Sequence, residues 1–479
     1  MNKSCLLLIF IISELIFGSQ YDFSGYTDFL DKQIKKGNFP GFVTLISKNG
    51  EIIFSDTRGF SDIEDSVPLK EDSLFRIYSM TKPITGVALM ILVERGKINL
   101  LDPVEKYIPE FKNTKVYDKK SKSFIDLDRS ITLLDLATHS SGLTYSFVDK
   151  GKIKEIYEQE KIYPYYVQDN IFTTASFEKA YKNVCSFSEK VASLPLVHQP
   201  GQKWTYSIGM DILGCVIERA SKTKFSLFLQ ENIFDPLEMK DTFFQVPENK
   251  TYRMTNLYGH KKGFKDYGIS LPKEIKAQKQ KLVLVDDRNN SFFYQKPSIE
   301  DGGSGLVSSA SDYLKFATML LNKGSLKGKK ILGEKYFTIM VSNQVEKKAK
   351  PFKFDPFGMG VTVGIALDAK KKQVIVGSKD YLACKNIKIT ECNWIIDQPH
   401  NKEFKILVKL RNTSNPVVGK IKVDFKTGTS ELDFDEPQFG VSTGQAAVFY
   451  NITDHDHVLG GGWITDAPNM LNLNNFINA

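Results

Sequence analysis

Apolar and polar positions first indicate a strand pair and a buried helix near the start of the chain. Two apolar runs, 42–47 and 51–54, flank Lys48-Asn49-Gly50. An Asn-Gly pair between two such runs is typical of a tight β-hairpin, because both residues tolerate the positive φ angles of its turn. The segment 83–95 is apolar on nearly every side and stops at Gly96, which predicts a helix inside a large core.

Further helices are predicted in the middle of the chain. Thr132 and Asp135 have the spacing of a capping box, which predicts a short helix ending near Gly142. Apolar residues at helical spacing predict two more helices, over 209–221 and 311–321. We interpret the polar, irregular stretch between them, residues 245–300, as a loop-rich insert. An α+β domain is therefore predicted up to about residue 366.

Beyond about residue 367 the pattern changes to strict alternation. Apolar and polar residues alternate over 404–411 and 420–426, and shorter strands are indicated at 432–434 and 446–450. Several short strands with turns between them predict a small β-barrel.

The predicted domain order begins with a leader. It consists of a signal peptide over 1–18, a domain over 22–366, the barrel over 367–466 and a tail over 467–479. In the leader, an apolar run over 5–17 is interrupted by Glu14 and followed by small residues, which is typical of a secretory signal. We expect a secreted or periplasmic protein, with an uncleaved anchor as the alternative leader and the cytoplasm as the alternative location.

Composition and charge narrow the function classes. The 479 residues are 42% hydrophobic and 25% charged, which is ordinary for a globular protein and disfavours disorder or a multi-span membrane protein. The formal net charge is +8, but residues 367–479 hold 13 basic and 13 acidic side chains, so the excess belongs to residues 1–366. Because this excess is scattered, it indicates a solvated surface and not a nucleic-acid footprint.

The cysteines indicate neither a metal site nor a disulfide framework. They form no CxxC pair and have no histidine at metal-ligand spacing. After loss of the leader four would remain, and we interpret these as isolated thiols, because a disulfide framework is not expected in so long a chain. They are Cys185, Cys215, Cys384 and Cys392. No metal and no organic cofactor is predicted.

Ser79 and Lys82 form an S-x-x-K pattern where the predicted buried helix begins. A serine there directs its hydroxyl out of the helix N-terminus, where the helix dipole favours a developing oxyanion. Lys82 lies on the same face and can activate a serine nucleophile. The alternative is that Ser79 only caps the helix and that Lys82 is solvated. The pattern recurs at 176–179, 221–224 and 270–273, so the letters alone do not decide.

Tyr206 is the second candidate and precedes the predicted helix over 209–221. We interpret Ser207 as the N-cap of that helix, which places the Tyr206 phenol in a loop from which it can project into a cleft. A phenolate stabilised by a nearby lysine can carry protons between a nucleophile and a leaving group. The alternative is ordinary aromatic packing at a helix start.

Four ordered blocks together resemble the serine β-lactamase-related family, which comprises class C β-lactamases, penicillin-binding-protein-like carboxypeptidases and related esterases. The resemblance covers about 25–365 and implies a β-lactamase/transpeptidase-like fold. The blocks are 75–83 (FRIYSMTKP), 133–143 (LLDLATHSSGL), 204–211 (WTYSIGMD) and 302–313 (GGSGLVSSASDY).

The resemblance assigns roles to the candidates. It implies that Ser79 is the acylated nucleophile, Lys82 its partner and Tyr206 the proton carrier of the second motif. Ile208 stands where many members have asparagine, a residue that the esterase branch often lacks, so the resemblance disfavours amide recognition. The family's third motif, K-T-G or a variant, lines the cleft from a late strand. Lys426-Thr427-Gly428 has these letters, but its place at the end of a predicted strand indicates a hairpin turn.

The last hundred residues resemble the C-terminal β-barrel of the tRNA-specific 2-thiouridylases. Blocks at 374–377, 392–395, 433–438, 443–450 and 458–462 carry this resemblance. The catalytic machinery of that family, an S-G-G-x-D-S nucleotide loop and a catalytic cysteine pair, is not found, so tRNA thiolation is not predicted. The zero net charge of the barrel gives little support for phosphate contacts, although RNA binding through it stays open.

The leading hypothesis is a serine hydrolase that forms an acyl-enzyme with a β-lactam, a peptidoglycan peptide or a small ester. The blocks around Ser79 motivate it. The fold would be the β-lactamase-like domain, with its last strands replaced or missing, followed by the barrel. The rivals are an inactive pseudoenzyme that serves as a binding protein, and a fusion remnant or assembly artefact.

Overall fold

A computed structural model describes residues 21–162, 181–266, 271, 273, 276, 279–345, 358–362, 364–365, 383–395, 402–410, 416–439, 441, 446–454 and 457–466. The chain forms two compact units, 1–338 and 339–479. The predicted signal peptide, the tail and the boundary at 366/367 all lie outside the described residues. Within the described ranges, no helix has both the length and the apolar character needed to cross a membrane.

The first unit combines helices with strands that pair antiparallel, as expected of an α+β domain. The helices are α1 (Ser24–Lys35), α2 (Thr81–Glu94), α3 (Leu133–Ala137), α4 (Lys152–Gln159), α5 (Val184–Ala192), α6 (Gly209–Ser221), α7 (Phe225–Leu229), α8 (Lys261–Asp266), α9 (Ala310–Leu321) and α10 (Glu334–Val341), which runs across the division between the units.

The strands of the first unit are short apart from one hairpin. They are β1 (Gly41–Lys48), β2 (Glu51–Asp62), β3 (Val67–Pro68), β4 (Leu74–Arg76), β5 (Val116–Asp118), β6 (Ser123–Ile125), β7 (Leu257–His260), β8 (Leu282–Asp286), β9 (Val307–Ser309), β10 (Ser325–Leu326) and β11 (Lys329–Lys330). Among the described residues, β1, β2 and β3 form one antiparallel sheet and the other strands pair as β4-β9, β5-β6, β7-β8 and β10-β11.

The predicted hairpin is confirmed. β1 and β2 pair antiparallel, and the turn between them has Asn49 at φ 53° and Gly50 at φ 87°. Two positive φ angles give the turn whose twist matches the flanking strands, which explains the Asn-Gly pair. The insert over 245–300 is more ordered than predicted, since it contains the hairpin of β7 and β8 and the helix α8.

The predicted buried helix is also confirmed. Every residue of α2 from Ile84 to Leu92 is buried, and Gly96 ends the segment at φ 64°. Its apolar side chains pack against α6, which is itself buried from Gly209 to Ile217. Two helices that bury most of their surfaces against each other place their N-terminal residues on a rigid base. The other predicted helix starts hold as well, including the capping box of Thr132 and Asp135.

The interpretation of all four cysteines as isolated thiols is wrong. Cys185 of α5 and Cys215 of α6 form a disulfide, with their Cα atoms 4.8 Å apart. The two helices pack side by side, which brings together cysteines separated by 30 positions in sequence. Cys384 and Cys392 are free thiols.

The second unit contains the predicted barrel. A small hairpin joins β12 (Gly358–Met359) and β13 (Gly364–Ile365). A closed barrel follows in the order β14-β17-β16-β15-β18-β19, formed by β14 (Ala383–Trp394), β15 (Glu403–Lys409), β16 (Val417–Asp424), β17 (Thr429–Phe439), β18 (Ala446–Tyr450) and β19 (Val458–Asp466). Ile421 and Val423 face its core, and Lys420 and Lys422, which alternate with them, face outward, as the alternation predicted.

Candidate active site

Ser79 lies in the connection between the end of β4 and the start of α2. It is the central residue of a single 3-10 turn, Tyr78–Met80. Tyr78 has a positive φ of 41°, a conformation that a non-glycine residue rarely adopts, and the Tyr313 hydroxyl donates to the Met80 carbonyl at 3.1 Å. The turn is therefore held on both sides of Ser79, at the N-terminus of the buried helix as predicted.

The Ser79 hydroxyl contacts both of the other candidate residues. Its Oγ lies 2.6 Å from the Tyr206 hydroxyl and 3.2 Å from Lys82 Nζ. Lys82 is only 5% exposed, so the alternative of a solvated lysine is wrong. Lys82 Nζ also donates to the carbonyl of Gly303 at 2.8 Å and lies 4.9 Å from the centre of the Tyr206 ring. The structure thus brings the three predicted site residues together.

Tyr206 is fixed by a cluster of aromatic side chains. Its ring centre lies 4.9 Å from that of His139, 5.3 Å from that of Tyr145 and 6.1 Å from that of Trp204. These rings hold the phenol over the N-termini of α2 and α6, beside Ser79. Tyr206 therefore does more than pack at a helix start, because its hydroxyl reaches the nucleophile candidate.

The prediction that Ser207 is the N-cap of α6 is wrong by one residue. The helix begins at Gly209, as predicted, and its N-cap is Ile208, which makes no side-chain cap hydrogen bond. The Ser207 hydroxyl lies 3.2 Å from His139 Nδ1, and the Ser207 backbone N–H donates to the same nitrogen at 3.3 Å. The Ser207 hydroxyl also accepts the Gly209 N–H at 3.4 Å, so Ser207 links His139 to the first residue of the helix.

His139 is a neutral member of this cluster. Burial, and next the positive charge of Lys82, lower the pKa of His139 from 6.5 to about 3. Because Nδ1 accepts the Ser207 N–H, the ring proton sits on Nε2. The residue has a φ of 59°, and its carbonyl accepts the Thr205 N–H at 2.8 Å. His139 supports Tyr206 sterically and does not supply a charge.

Sequence reasoning missed two buried carboxyl groups behind Lys82. Asp211, on the first turn of α6, and Asp301, just before the Gly302-Gly303 pair, both accept the backbone N–H of Gly303. The signal for Asp211 was its position five residues after Tyr206, on a helix start that otherwise buries apolar side chains. Nothing in the sequence marked Asp301, because the Asp211 carboxyl that meets it at the Gly303 N–H lies 90 positions earlier.

The K-T-G letters lie in the hairpin turn that their context predicted. Lys426, Thr427 and Gly428 belong to the turn between β16 and β17, where Gly428 has a φ of 65°. The Lys426 N–H donates to Asp424 Oδ1 at 2.9 Å, and the Thr427 and Thr429 hydroxyls lie 2.7 Å apart. These contacts shape a turn, and neither backbone nor side chain follows a mid-strand geometry there.

Comparisons with known proteins match both parts of the chain. A family model described as Beta-lactamase matches residues 27–369, and one described as aminomethyltransferase β-barrel domain matches residues 384–464. An uncharacterised protein of Mycobacterium tuberculosis is 30% identical over 353 residues, which cover 71% of this chain and 78% of that protein. Esterase EstB of Burkholderia gladioli is 27% identical over 292 residues, which cover 60% of this chain and 66% of the esterase.

A solved structure supports the same architecture. The chain resembles EstCE1, described as a hydrolase with promiscuous acyltransferase activity, with a TM-score of 0.54 and 18% sequence identity. The match covers 85% of this chain and 91% of that one. At this level of identity, the likeness shows the fold alone.

Proposed function

This chain belongs to the β-lactamase family, and we propose that it is a serine hydrolase that forms an acyl-enzyme on Ser79. One observation carries the proposal. The Ser79 hydroxyl contacts the Tyr206 phenol at 2.6 Å and the buried Lys82 ammonium at 3.2 Å. The phenol can take the serine proton, and the ammonium supplies a positive charge beside it. A serine in such contacts is an activated nucleophile.

In the proposed reaction, Ser79 Oγ bonds to the carbonyl carbon of the substrate and its proton passes to Tyr206, in the phenolate form that Lys82 stabilises. The bond from that carbon to the leaving alcohol then breaks, and the alkoxide takes the proton back from Tyr206. A water molecule attacks the acyl-enzyme, gives one proton to Tyr206 and releases the acid, after which the proton returns to Ser79. No step consumes a metal or an organic cofactor.

Among the three candidate substrate classes, we propose a small ester. Ile208 is completely buried beside the Tyr206 loop and offers no polar group to a substrate amide. A site that recognises an amide through hydrogen bonds needs a donor or acceptor, which asparagine would supply at this position. The esterase EstB, a relative over 60% of this chain, is consistent with this choice.

Covalent labelling tests the nucleophile. A fluorophosphonate probe should label the wild-type protein and should not label Ser79→Ala. Ser221→Ala is the matched control, because Ser221 begins another S-x-x-K pattern at the C-terminal end of α6, and it should label like the wild type. Rates with a p-nitrophenyl ester and with a chromogenic cephalosporin then separate ester from β-lactam substrates.

Absence of labelling on folded wild-type protein would favour the second candidate, a non-catalytic binding protein. The place of Lys426-Thr427-Gly428 in a barrel turn favours that candidate, because the family's third motif normally lines the cleft. Retention of RNA that weakens with salt would indicate a nucleic-acid partner for such a protein.

We also propose that the protein is exported. The leader over residues 1–18 motivates this, and the Cys185–Cys215 disulfide supports it, because disulfides persist in oxidising compartments. Amino-terminal sequencing should find mature protein that begins near Ser19. Recovery of intact Met1 in the soluble cytoplasm would contradict export.

A further inference from the structure

Two carboxyl groups meet in the interior of the first unit, behind Lys82. Asp211 is completely buried and Asp301 is 3% exposed. An oxygen of each carboxyl accepts the same Gly303 N–H, Asp301 Oδ1 at 2.6 Å and Asp211 Oδ1 at 3.2 Å. Two ionised carboxylates held this close together in a buried site would repel each other, which favours a proton on one of them.

The hydrogen-bond partners distinguish the two carboxyl groups. Asp301 Oδ1 accepts the N–H of Gly303 at 2.6 Å and that of Ser304 at 2.9 Å, and its Oδ2 accepts the Ser304 hydroxyl. Three donors on one carboxyl stabilise its charged form. Asp301 is therefore the acceptor of the pair.

Asp211 has the opposite surroundings. Its Oδ1 accepts only the longer bond from the Gly303 N–H, at 3.2 Å, and within the described part of the chain its Oδ2 has no donor. Burial, and next the negative charge of Asp301, raise the pKa of Asp211 well above its usual range. Asp211 is therefore the member that keeps the proton and donates it toward Asp301.

A single peptide group connects this pair to Lys82. In the peptide between Gly303 and Ser304, the N–H donates to Asp301 at 2.9 Å and the carbonyl accepts from Lys82 Nζ at 2.8 Å. The bond from the Ser304 N–H to Asp301 therefore fixes the direction of the Gly303 carbonyl on the other side of the same peptide. Any rotation of the peptide would move the acceptor that holds Lys82 beside Ser79.

The fit around this peptide is close. A Cβ atom at position 303 would lie 3.0 Å from Asp211 Oδ2 and 3.1 Å from the Tyr145 hydroxyl, so a side chain there would press against both. One residue earlier, the Gly302 carbonyl accepts the Thr85 hydroxyl of α2 at 2.7 Å. The turn is clamped between α2 and α6, which leaves the carboxyl pair little room to change its spacing.

We propose that Asp211 and Asp301 share one proton, carried by Asp211, and that they act as positioning residues: they fix the Gly303 carbonyl and, through it, Lys82. The role rests on the proposed Ser79 chemistry, since Lys82 matters only if Ser79 reacts. Neither carboxyl contacts the Ser79 hydroxyl, so neither is a catalytic residue.

Two isosteric variants test where the proton lies. In Asp211→Asn the amide N–H replaces the acid O–H as donor to Asp301, so kcat for ester hydrolysis should stay within about threefold of wild type. In Asp301→Asn one acceptor oxygen is lost, and the new amide N–H faces the donors of Gly303 and Ser304. We therefore expect kcat to fall by about 10- to 100-fold. KM should change little in both variants, because no substrate contact is removed.

The order of the two effects decides the proposal. Tolerance of Asp301→Asn together with damage by Asp211→Asn would put the proton on Asp301 and overturn it. Equal tolerance or equal damage would also overturn it, because a proton held on one side makes the two positions unequal. Thermal unfolding of each variant shows beforehand whether kcat is measured on folded protein.

An infrared measurement keeps the proposal testable if Asp301→Asn does not fold, or if no ester substrate turns over. At pH 7 the wild-type protein should show the carbonyl stretch of a buried protonated carboxyl, and this band should disappear in Asp211→Asn. Persistence of the band in that variant would overturn the assignment. Failure of probe labelling at Ser79, with the band present, would count against the proposed function and leave the proton on Asp211.

Discussion

Lysine serves opposite purposes in the two units of this chain. In the first unit Lys82 is buried and contacts a hydroxyl, a peptide carbonyl and a phenol ring. In the barrel, exposed lysines pair with acidic side chains of other strands; these pairs are Lys388–Glu431 at 3.3 Å, Lys405–Asp435 at 3.3 Å and Lys420–Glu403 at 2.8 Å. Exposed pairs of this kind contribute little to stability and mainly keep the surface solvated.

The contrast shows what separates a motif from a chance match. S-x-x-K at Ser79 and K-T-G at Lys426 are both short patterns. The first lies at the N-terminus of a buried helix, and the second lies in an exposed turn. A lysine becomes chemically useful where its surroundings remove water and hold its ammonium against a reacting group. Placement, and not the letters, distinguishes the two.

The sharpest test of this contrast removes one lysine from each unit. Lys82→Met should lower kcat/KM by about 10³-fold, because the neutral side chain neither stabilises the Tyr206 phenolate nor contacts Ser79. Lys426→Met, the matched change in the barrel turn, should leave kcat/KM within about twofold. Steady-state rates with a p-nitrophenyl ester give both values. A large loss in Lys426→Met would instead indicate that the barrel turn supplies the missing third motif.

A smaller effect is expected at the proton carrier. Tyr206→Phe keeps the ring that packs on His139 and Trp204 but removes the hydroxyl 2.6 Å from Ser79, so kcat should fall by about 10²-fold with little change in stability. Tyr450→Phe in β18 is the control and should leave kcat unchanged. A Tyr206→Phe enzyme as active as wild type would exclude the phenol from proton transfer.

What the sequence could predict follows the range of the interactions concerned. The Ser79–Lys82 pair was accessible because a residue in the turn that opens a helix and one three positions later lie on the same side of the chain, whatever the rest of the fold does. The barrel was accessible because alternation reports directly on a two-sided strand. Tyr206 was a candidate from its place before a helix, but its pairing with Ser79 needed the resemblance to known proteins, since the two residues are 127 positions apart.

The failures have the same origin. The Cys185–Cys215 bridge depends on α5 packing against α6, and Ser207 was assigned to a helix cap because its partner His139 lies 68 residues away. Asp301 was missed because the carboxyl group with which it shares the Gly303 N–H, Asp211, lies 90 positions earlier in the sequence. Each error missed a contact between residues that are far apart in the sequence.

Reduction should separate the two units by stability. The Cys185–Cys215 bridge joins residues 30 positions apart, and removing a crosslink of that span should cost the first unit about 3 to 4 kcal/mol. Calorimetry of Cys185→Ala/Cys215→Ala should show a lower first-unit transition than wild type. Cys392→Ala is the barrel control, because Cys392 is a free thiol, and should leave that transition in place.

Reductant provides an independent check on the bridge. Wild-type protein in excess dithiothreitol should unfold like the double variant, while the double variant itself should not respond. An unchanged wild-type transition under conditions that fully expose and reduce the thiols would contradict a stabilising role for the disulfide.

Acid should weaken the first unit through His139, and this is the smallest of the expected effects. Burial, followed by the charge of Lys82, lowers the pKa of His139 from 6.5 to about 3. Below pH 6.5 the unfolded chain therefore binds a proton at this histidine, and the folded protein does not. Stability therefore falls as the pH drops below 6.5, and between pH 7.5 and 5.5 this histidine alone should cost about 1.4 kcal/mol.

His139→Asn isolates this contribution from other titrations. Asparagine tolerates the φ of 59°, and its Oδ1 can accept the Ser207 N–H in place of Nδ1, but it does not titrate. Burial also lowers the pKa of His198, which adds a further loss of stability in acid, whereas the raised pKa of Asp211 adds stability in acid. Both contributions are the same in the wild type and in His139→Asn. Denaturant unfolding at the two pH values should therefore show a smaller loss in the variant, by about 1.4 kcal/mol. Equal losses of stability in the two proteins would mean that folded His139 accepts a proton, and would contradict the assignment of a neutral His139 ring.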